Sequence, residues 1–79
     1  MDIRKELNGV FRDVFRRNDI HVLDHMTAED VQGWDSIAHV TLVIAVEDHF
    51  HVRFSTAEIG AMKNVGEMIR LIERKRERG

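Results

Sequence analysis

The sequence predicts an all-α fold, and three observations carry that expectation. Proline is absent from all 79 residues, so no segment is barred from continuing as a helix. Apolar residues recur three and four positions apart near both ends of the chain. No stretch sustains the apolar–polar alternation of a half-buried strand. The length fits a single domain, residues 1–79, near the size at which roughly 60% of the chain's surface is buried on folding. With no cysteine, neither a disulfide nor a thiolate metal site can staple so small a core, and stability must come from helix packing.

The elements follow in order. Asp2 is a good N-cap for a first helix with Ile3, Leu7, Val10, Phe11, Val14 and Phe15 on one face, expected to end near Arg17-Asn18. Residues 19–34 show no clean period and carry the short polar group Thr27-Ala28-Glu29-Asp30. They read as a long loop, and loops of this length in compact domains are more often functional than not. A second helix is expected from Asp35 or Ser36 to about Phe50. The linker His51-Val52-Arg53-Phe54 leads to Ser55-Thr56-Ala57-Glu58, a capping-box pattern that opens a short third helix through about Ala61. Asn64-Val65-Gly66-Glu67 has similar cap chemistry for a last helix, with Val65, Met68, Ile69 and Ile72 on one face.

The second helix is unusual because its apolar side chains form two opposed stripes. At about 100° per residue, Leu42, Val43, Val46 and Phe50 make one stripe, while Ile37, Val40 and Ile44 make another on nearly the opposite side, with Glu47 and Asp48 beside it. A surface helix of a small domain needs one buried face. The stripe ending in Phe50 is bulkier and uncharged, so it is expected in the core. That leaves Ile37, Val40 and Ile44 as an exposed, acid-rimmed patch suited to docking another protein, unless the helix is central to the bundle and buried on both sides.

The net charge of −2 hides a division along the chain. Residues 1–20 stand at +1 and residues 63–79 at +3. Residues 21–62 stand at −6, with Asp24, Glu29, Asp30, Asp35, Glu47, Asp48 and Glu58 against Arg53 alone. A partner docking on the middle should present a basic surface, which speaks against nucleic acid there. No apolar run approaches the roughly 20 residues that span a bilayer, and Met1-Asp2-Ile3-Arg4-Lys5-Glu6 lacks the layout of a signal peptide; a cytoplasmic protein without membrane association is expected.

The chemistry centres on Gly33-Trp34-Asp35-Ser36-Ile37-Ala38-His39-Val40. Ser36 falls where a glycine-containing loop gives way to the second helix. At a helix N-terminus the first N–H groups lack intrahelical partners and the macrodipole favours negative charge, so a phosphate ester on Ser36 would be electrostatically stabilised. From Asp35 to about Ile72 the chain resembles an acyl carrier protein: Asp35-Ser36-Ile37 at the start of helix two, the run from Val40 to Glu47, Phe50 closing that helix, Phe54 in the linker and Val65 opening the last helix. The resemblance implies a small four-helix bundle of acyl-carrier type with a long loop between helices one and two. It implies a monomeric, non-catalytic carrier serving fatty acid or polyketide biosynthesis.

Ser36 would be the attachment point of 4′-phosphopantetheine, with Asp35 beside it. The arm would be added from coenzyme A by a phosphopantetheinyl transferase that holds the Mg²⁺, making the chain a phosphoprotein. Acyl-loading and acyl-processing enzymes with basic docking surfaces would then meet Ile37, Val40, Thr41, Ile44, Glu47 and Asp48. Because the thiol arrives with the cofactor, a chain without cysteine could carry thioesters. Helix two has fewer acids than carriers of fatty-acid synthesis usually bring, with Ala38 and Thr41 following Ser36, so recognition should lean on the apolar stripe. Trp34, Ala38-His39, Phe54-Ser55-Thr56 and Asn64-Val65-Gly66 resemble stand-alone carriers of specialised pathways, such as polyketide-like or glyceryl-loading systems.

Other constellations carry less. Asp35, Ser36 and His39 are too local to form a nucleophile, base and orienter, and no Gly-x-Ser-x-Gly motif is present. His21 with His25, and His49 with His51 near Glu47 and Asp48, are read as solvated or packed histidines rather than metal ligands, and His39 as a packed one. Met62 and Met68 read as core filler. The basic run from Arg70 to Arg78 suits a solvated helix end. Two readings remain beside the carrier: an unmodified helical interaction module using the same face of helix two, with Ser36 only as a helix cap, and a basic-tailed nucleic-acid binder.

Overall fold

The computed structural model describes residues 2–77, with nothing stated of the Glu77 side chain; Arg78, the last cation of the basic run, lies outside the described residues. Four helices and no strands make up the described chain: α1 (Ile3–Phe15), α2 (Ser36–Phe50), α3 (Thr56–Ala61) and α4 (Val65–Glu77). The expected all-α four-helix architecture, with its long loop between α1 and α2, is the one observed.

Each start is set by a side chain that takes up an orphan backbone donor. The Asp2 carboxylate accepts from Lys5 N–H, Asp35 from Ala38 N–H, and the Asn64 amide oxygen from Glu67 N–H at 2.8 Å. The capping box of α3 is complete: the Ser55 hydroxyl accepts from Glu58 N–H, and the Glu58 carboxylate accepts from Ser55 N–H at 2.7 Å.

α1 is shorter than expected. It stops at Phe15 because Arg16 takes a left-handed conformation (φ 52°), and the N–H groups of Arg16 and Arg17 both return to the Arg12 carbonyl. α2 ends in the same manner at His51 (φ 56°), with Val52 N–H on the Glu47 carbonyl. Neither stop uses glycine, so no residue type punctuates the first of them.

The core forms where α1 packs against α2 and α4. Leu7, Val10 and Phe11 of α1 meet Leu42, Val43, Val46 and Phe50 of α2 and Val65, Met68 and Ile72 of α4. Met62 and Met68 are both buried, as core filler should be. The loop is a working part of the interior, because it sends in Ile20, Val22, Val31 and Trp34. Its backbone is tied down by side chains of α1: Asn8 accepts from Val22 N–H at 2.8 Å, and the Arg12 guanidinium donates to the Ile20 carbonyl at 2.9 Å. It is also tied to the last helix. Val65 N–H donates to the Met26 carbonyl and Gly66 N–H to the Asp24 carbonyl, at 2.9 and 2.8 Å, while Arg4 of α1 pairs with the Asp24 side chain.

α3 buries no residue completely and is held at its edges. Lys75 of α4 reaches Glu58 at 2.8 Å. That pairing, then the Ser55 backbone bond, holds the Glu58 carboxyl below its ordinary value of 4.5. A carboxyl depressed by folding contributes stability above its ordinary range, and the contribution is lost as pH falls through the depressed value. Glu58→Gln is therefore expected to be less stable than the wild type near neutrality and to lose less as pH is lowered below about 4.5, so that the two converge in acid; melting curves across that range check it. A second expectation concerns Gly66, where an added Cβ would lie 3.1 Å from the Asp24 carbonyl and 3.3 Å from the Asn64 amide oxygen. Gly66→Ala should destabilise the fold by roughly 1–3 kcal/mol, read from the urea midpoint.

Candidate functional site

The site is built on a tight turn before α2. Gly33 has φ +92°, a conformation that L side chains rarely adopt, although the space around it is open apart from Phe15 at 3.9 Å. The glycine is thus needed for its backbone. Trp34 N–H returns to the Val31 carbonyl and Asp35 N–H to the Gly33 carbonyl. The turn points Trp34 inward and delivers Asp35 to the N-cap, where its carboxylate accepts from Ala38 N–H at 2.8 Å. Ser36 is then the first residue of the helix, and it is exposed. No other described group engages its hydroxyl.

Trp34 anchors the turn. It is 6% exposed, and its ring meets Phe11 edge-on at 5.3 Å and Phe15 at 6.3 Å. Its indole N–H finds a partner in His39, donating to Nδ1 at 3.1 Å, and the two rings stack at 6.0 Å. An accepting Nδ1 places the ring proton on Nε2, which faces the Ile59 carbonyl of α3 at 3.4 Å. His39, half-buried, is therefore a packed histidine that joins the entry turn to α2 and α3. Losing it would strand a buried indole N–H, at a cost of about 1–3 kcal/mol.

Beside Ser36 lies an open groove of about 700 Å³. Its walls are the loop at 27–29, the start of α2 at 34–36 with His39, and α3 and its exit at 59, 60, 62 and 63. Sequence reasoning did not find this groove. Nor did it assign Trp34 to the core, although a lone tryptophan beside a glycine and ahead of a capped helix was a usable signal.

Along α2 the two stripes separate. Leu42, Val43, Val46 and Phe50 are buried, while Ile37, Val40 and Ile44 are 79%, 55% and 59% exposed. Thr41 is exposed among them, its hydroxyl donating back to the Ile37 carbonyl at 3.2 Å. Asp48 is exposed too. Glu47 differs: it is half-buried, and its carboxylate accepts from Phe54 N–H at 2.8 Å, fixing the linker to α3. Part of its capacity is thus spent within the molecule. Glu47 and Asp48 flank a second hollow of about 430 Å³ with Ile44 and Arg53.

The remaining histidines are dispersed. His21 meets the Arg12 guanidinium through Nδ1 at 3.2 Å. His49 pairs with Glu6 of α1 at 2.8 Å and stands edge-on to Phe50, and His25 and His51 are exposed. Among the described residues no three His, Cys, Asp or Glu side chains gather as a metal site. No described helix is long and apolar enough to cross a membrane.

Comparison with solved structures identifies the family. The solution structure of the holo acyl carrier protein from Geobacter metallireducens superposes with a TM-score of 0.92 at 32% sequence identity, covering 99% of this chain and 90% of that one. The chain belongs to the acyl carrier protein family. No family model matches it, and no curated protein does. An acyl carrier protein is a carrier rather than a catalyst, and the local bonding agrees. The Asp35 carboxylate accepts from Ala38 N–H and the His39 ring is held by Trp34 and Ile59, and among the described residues neither bonds the Ser36 hydroxyl.

In this carrier Asp35 acts through the helix start. Asp35→Ala is expected to lower stability by about 1 kcal/mol, and Asp35→Asn to restore it, since the amide caps as well as the carboxylate. Denaturant titrations of the two variants decide whether capping or charge is what the position contributes.

Proposed function

We propose that Ser36 is the attachment point of a 4′-phosphopantetheine arm and that the protein carries acyl groups as thioesters on it. One observation supports this above the rest. In a chain of acyl carrier fold, the serine of Asp35-Ser36-Ile37 stands exposed at the first position of α2, with an apolar ridge immediately beyond it.

The residues present fit such a group. The N-terminus of α2 offers partial positive charge to a phosphodiester on Ser36, and Asp35 keeps that end ordered while its carboxylate is turned to Ala38 N–H. When bound, the arm supplies the terminal thiol that this cysteine-free chain lacks. The open groove beside Ser36 gives the arm room to lie against the protein or to swing away from it.

Partner enzymes, the phosphopantetheinyl transferase first among them, dock on Ile37, Val40 and Ile44, with Thr41 within the ridge and Asp48 and the outer part of Glu47 at its rim. The acidic middle of the chain selects partners with basic surfaces, and the apolar ridge provides the area to be buried. We place this work in the cytoplasm, in a monomeric carrier of a specialised pathway, with no role for nucleic acid.

The test is intact mass after incubation with coenzyme A, Mg²⁺ and a promiscuous phosphopantetheinyl transferase. The wild type should gain one phosphopantetheinyl group and Ser36→Ala none. A wild type left unmodified by a transferase active on a control carrier would overturn the reading and favour an interaction module in which Ser36 only begins a helix.

A further inference from the structure

Apart from Ser36 and the α2 ridge, a second groove of about 310 Å³ runs between α3 and α4. Its floor is small and apolar. Ala57 and Ala61 of α3 are exposed one helical turn apart, and the half-buried Leu71 of α4 completes the surface. On the α4 side Glu67, Arg70 and Arg74 fall with Leu71 on one face at helical spacing.

The charges of this groove are incompletely matched. Glu58 is taken by Lys75 at 2.8 Å and by Ser55 N–H. Glu67 meets Arg70 at 3.6 Å, too long for a hydrogen bond, so Arg70 keeps donors to offer. Arg74 is exposed, and no described residue pairs with it. The dipole of α4 accounts for cations in its last turn, at Arg74, Lys75 and Arg76, but not for Arg70 one turn earlier. Four residues apart, Arg70 and Arg74 are like charges on one wall, a mild cost to the free helix that an anion between them relieves.

The lining decides what kind of anion. Glu58 and Glu67 would repel a continuous polyanion, and no aromatic side chain lines the groove for bases to stack on. A bilayer finds no large exposed apolar side chain to take up, because those of the described chain are Leu23, Ile37, Val40 and Ile44. A helix fits: carboxylates one turn apart meet Arg70 and Arg74, and aliphatic side chains beside them rest on Ala57, Ala61 and Leu71.

We propose that the α3/α4 groove is a second docking site, which takes an acidic helical segment of a partner protein through Arg70 and Arg74. Its charge is opposite to that of the acid-rimmed α2 ridge, and none of its residues belongs to that ridge or to the groove beside Ser36. α3 divides the two grooves, with Ile59 and Gly60 lining the Ser36 side and Ala57 and Ala61 the other. One partner can therefore hold the chain while another works at Ser36.

The experiment follows backbone amide NMR of the isotopically labelled full chain as a stapled helical peptide is added, bearing two glutamates one turn apart beside two leucines. A twin peptide with glutamine in both acidic places is the control. Saturable shifts should centre on Ala57, Ala61, Leu71 and Arg74, leave Ile37, Val40 and Ile44 unmoved, and weaken as salt is raised. The twin should bind about tenfold more weakly, and Arg70→Gln and Arg74→Gln should each weaken the acidic peptide about tenfold, as loss of a charge-assisted hydrogen bond does. Both positions are exposed, so folding is not at stake. Lys5→Gln, the same charge change on α1, should alter nothing.

Absence of saturable binding would overturn the proposal, as would shifts centred on the α2 ridge, equal binding of the twin, or equal weakening by Lys5→Gln. Tighter binding of a single-stranded DNA oligonucleotide at the same residues would overturn it in favour of nucleic acid. Concentration-dependent shifts there without peptide would overturn it in favour of a second copy of the chain. The peptide is added to the unmodified chain, so this outcome and that of phosphopantetheine loading at Ser36 are independent.

Discussion

Burial of Trp34 is the constraint on which the rest of the arrangement depends. Its ring fills the space between α1 and the start of α2 against Phe11 and Phe15, and an indole cannot be withdrawn from such a place without opening the core. Once that ring is fixed, the turn at Gly33 has one way to continue. Asp35 follows as the N-cap, and the rotational phase of α2 is set from its first residue. With that phase Leu42, Val43, Val46 and Phe50 face inward, and Ser36, Ile37, Val40 and Ile44 face out.

The bundle is small enough that the outward face of α2 finds no cover. Of the other helices, α1 and α4 form the core with α2's inner stripe, and α3 has six residues and lies at the edge of the seam. Three large aliphatic side chains in water would be a liability in an ordinary monomer. Beside an exposed serine and an acidic rim they make sense as a surface that is covered intermittently by partners. One helix is thus used on both faces: the inner stripe holds the fold, and the outer stripe is the exposed ridge proposed for docking.

The long loop is stiffened by the same logic of satisfied donors. Its carbonyls at Asp24 and Met26 receive the first N–H groups of α4, its Val22 N–H is received by Asn8, and Arg12 holds Ile20. Four apolar side chains enter the core from it. A segment lacking any periodicity is thereby as well anchored as a helix, which keeps one wall of the groove in place next to Ser36.

What the sequence determined by itself is what short-range physics controls. The helix starts at Asp2, Asp35, Ser55 and Asn64 were legible because a capping side chain and the donor it serves lie within three residues. The two stripes of α2 were legible because helical geometry is fixed at a given number of residues per turn. The family likeness supplied the role proposed for Ser36. The end of α1 was misjudged by about two residues, since Arg16 adopts a left-handed conformation that no glycine announced. Only the tertiary structure could decide where Trp34 and His39 go, that Glu47 spends part of its carboxylate on Phe54 N–H, and that loop carbonyls cap α4. Each of these joins groups on different elements, from five residues apart for Trp34 and His39 to about forty for the loop and α4. Such pairings are selected by the free energy of closing the whole core rather than by any local preference of the chain. The serine could be read in the sequence; the groove beside it, and the histidine at its inner edge, exist only once the helices have met.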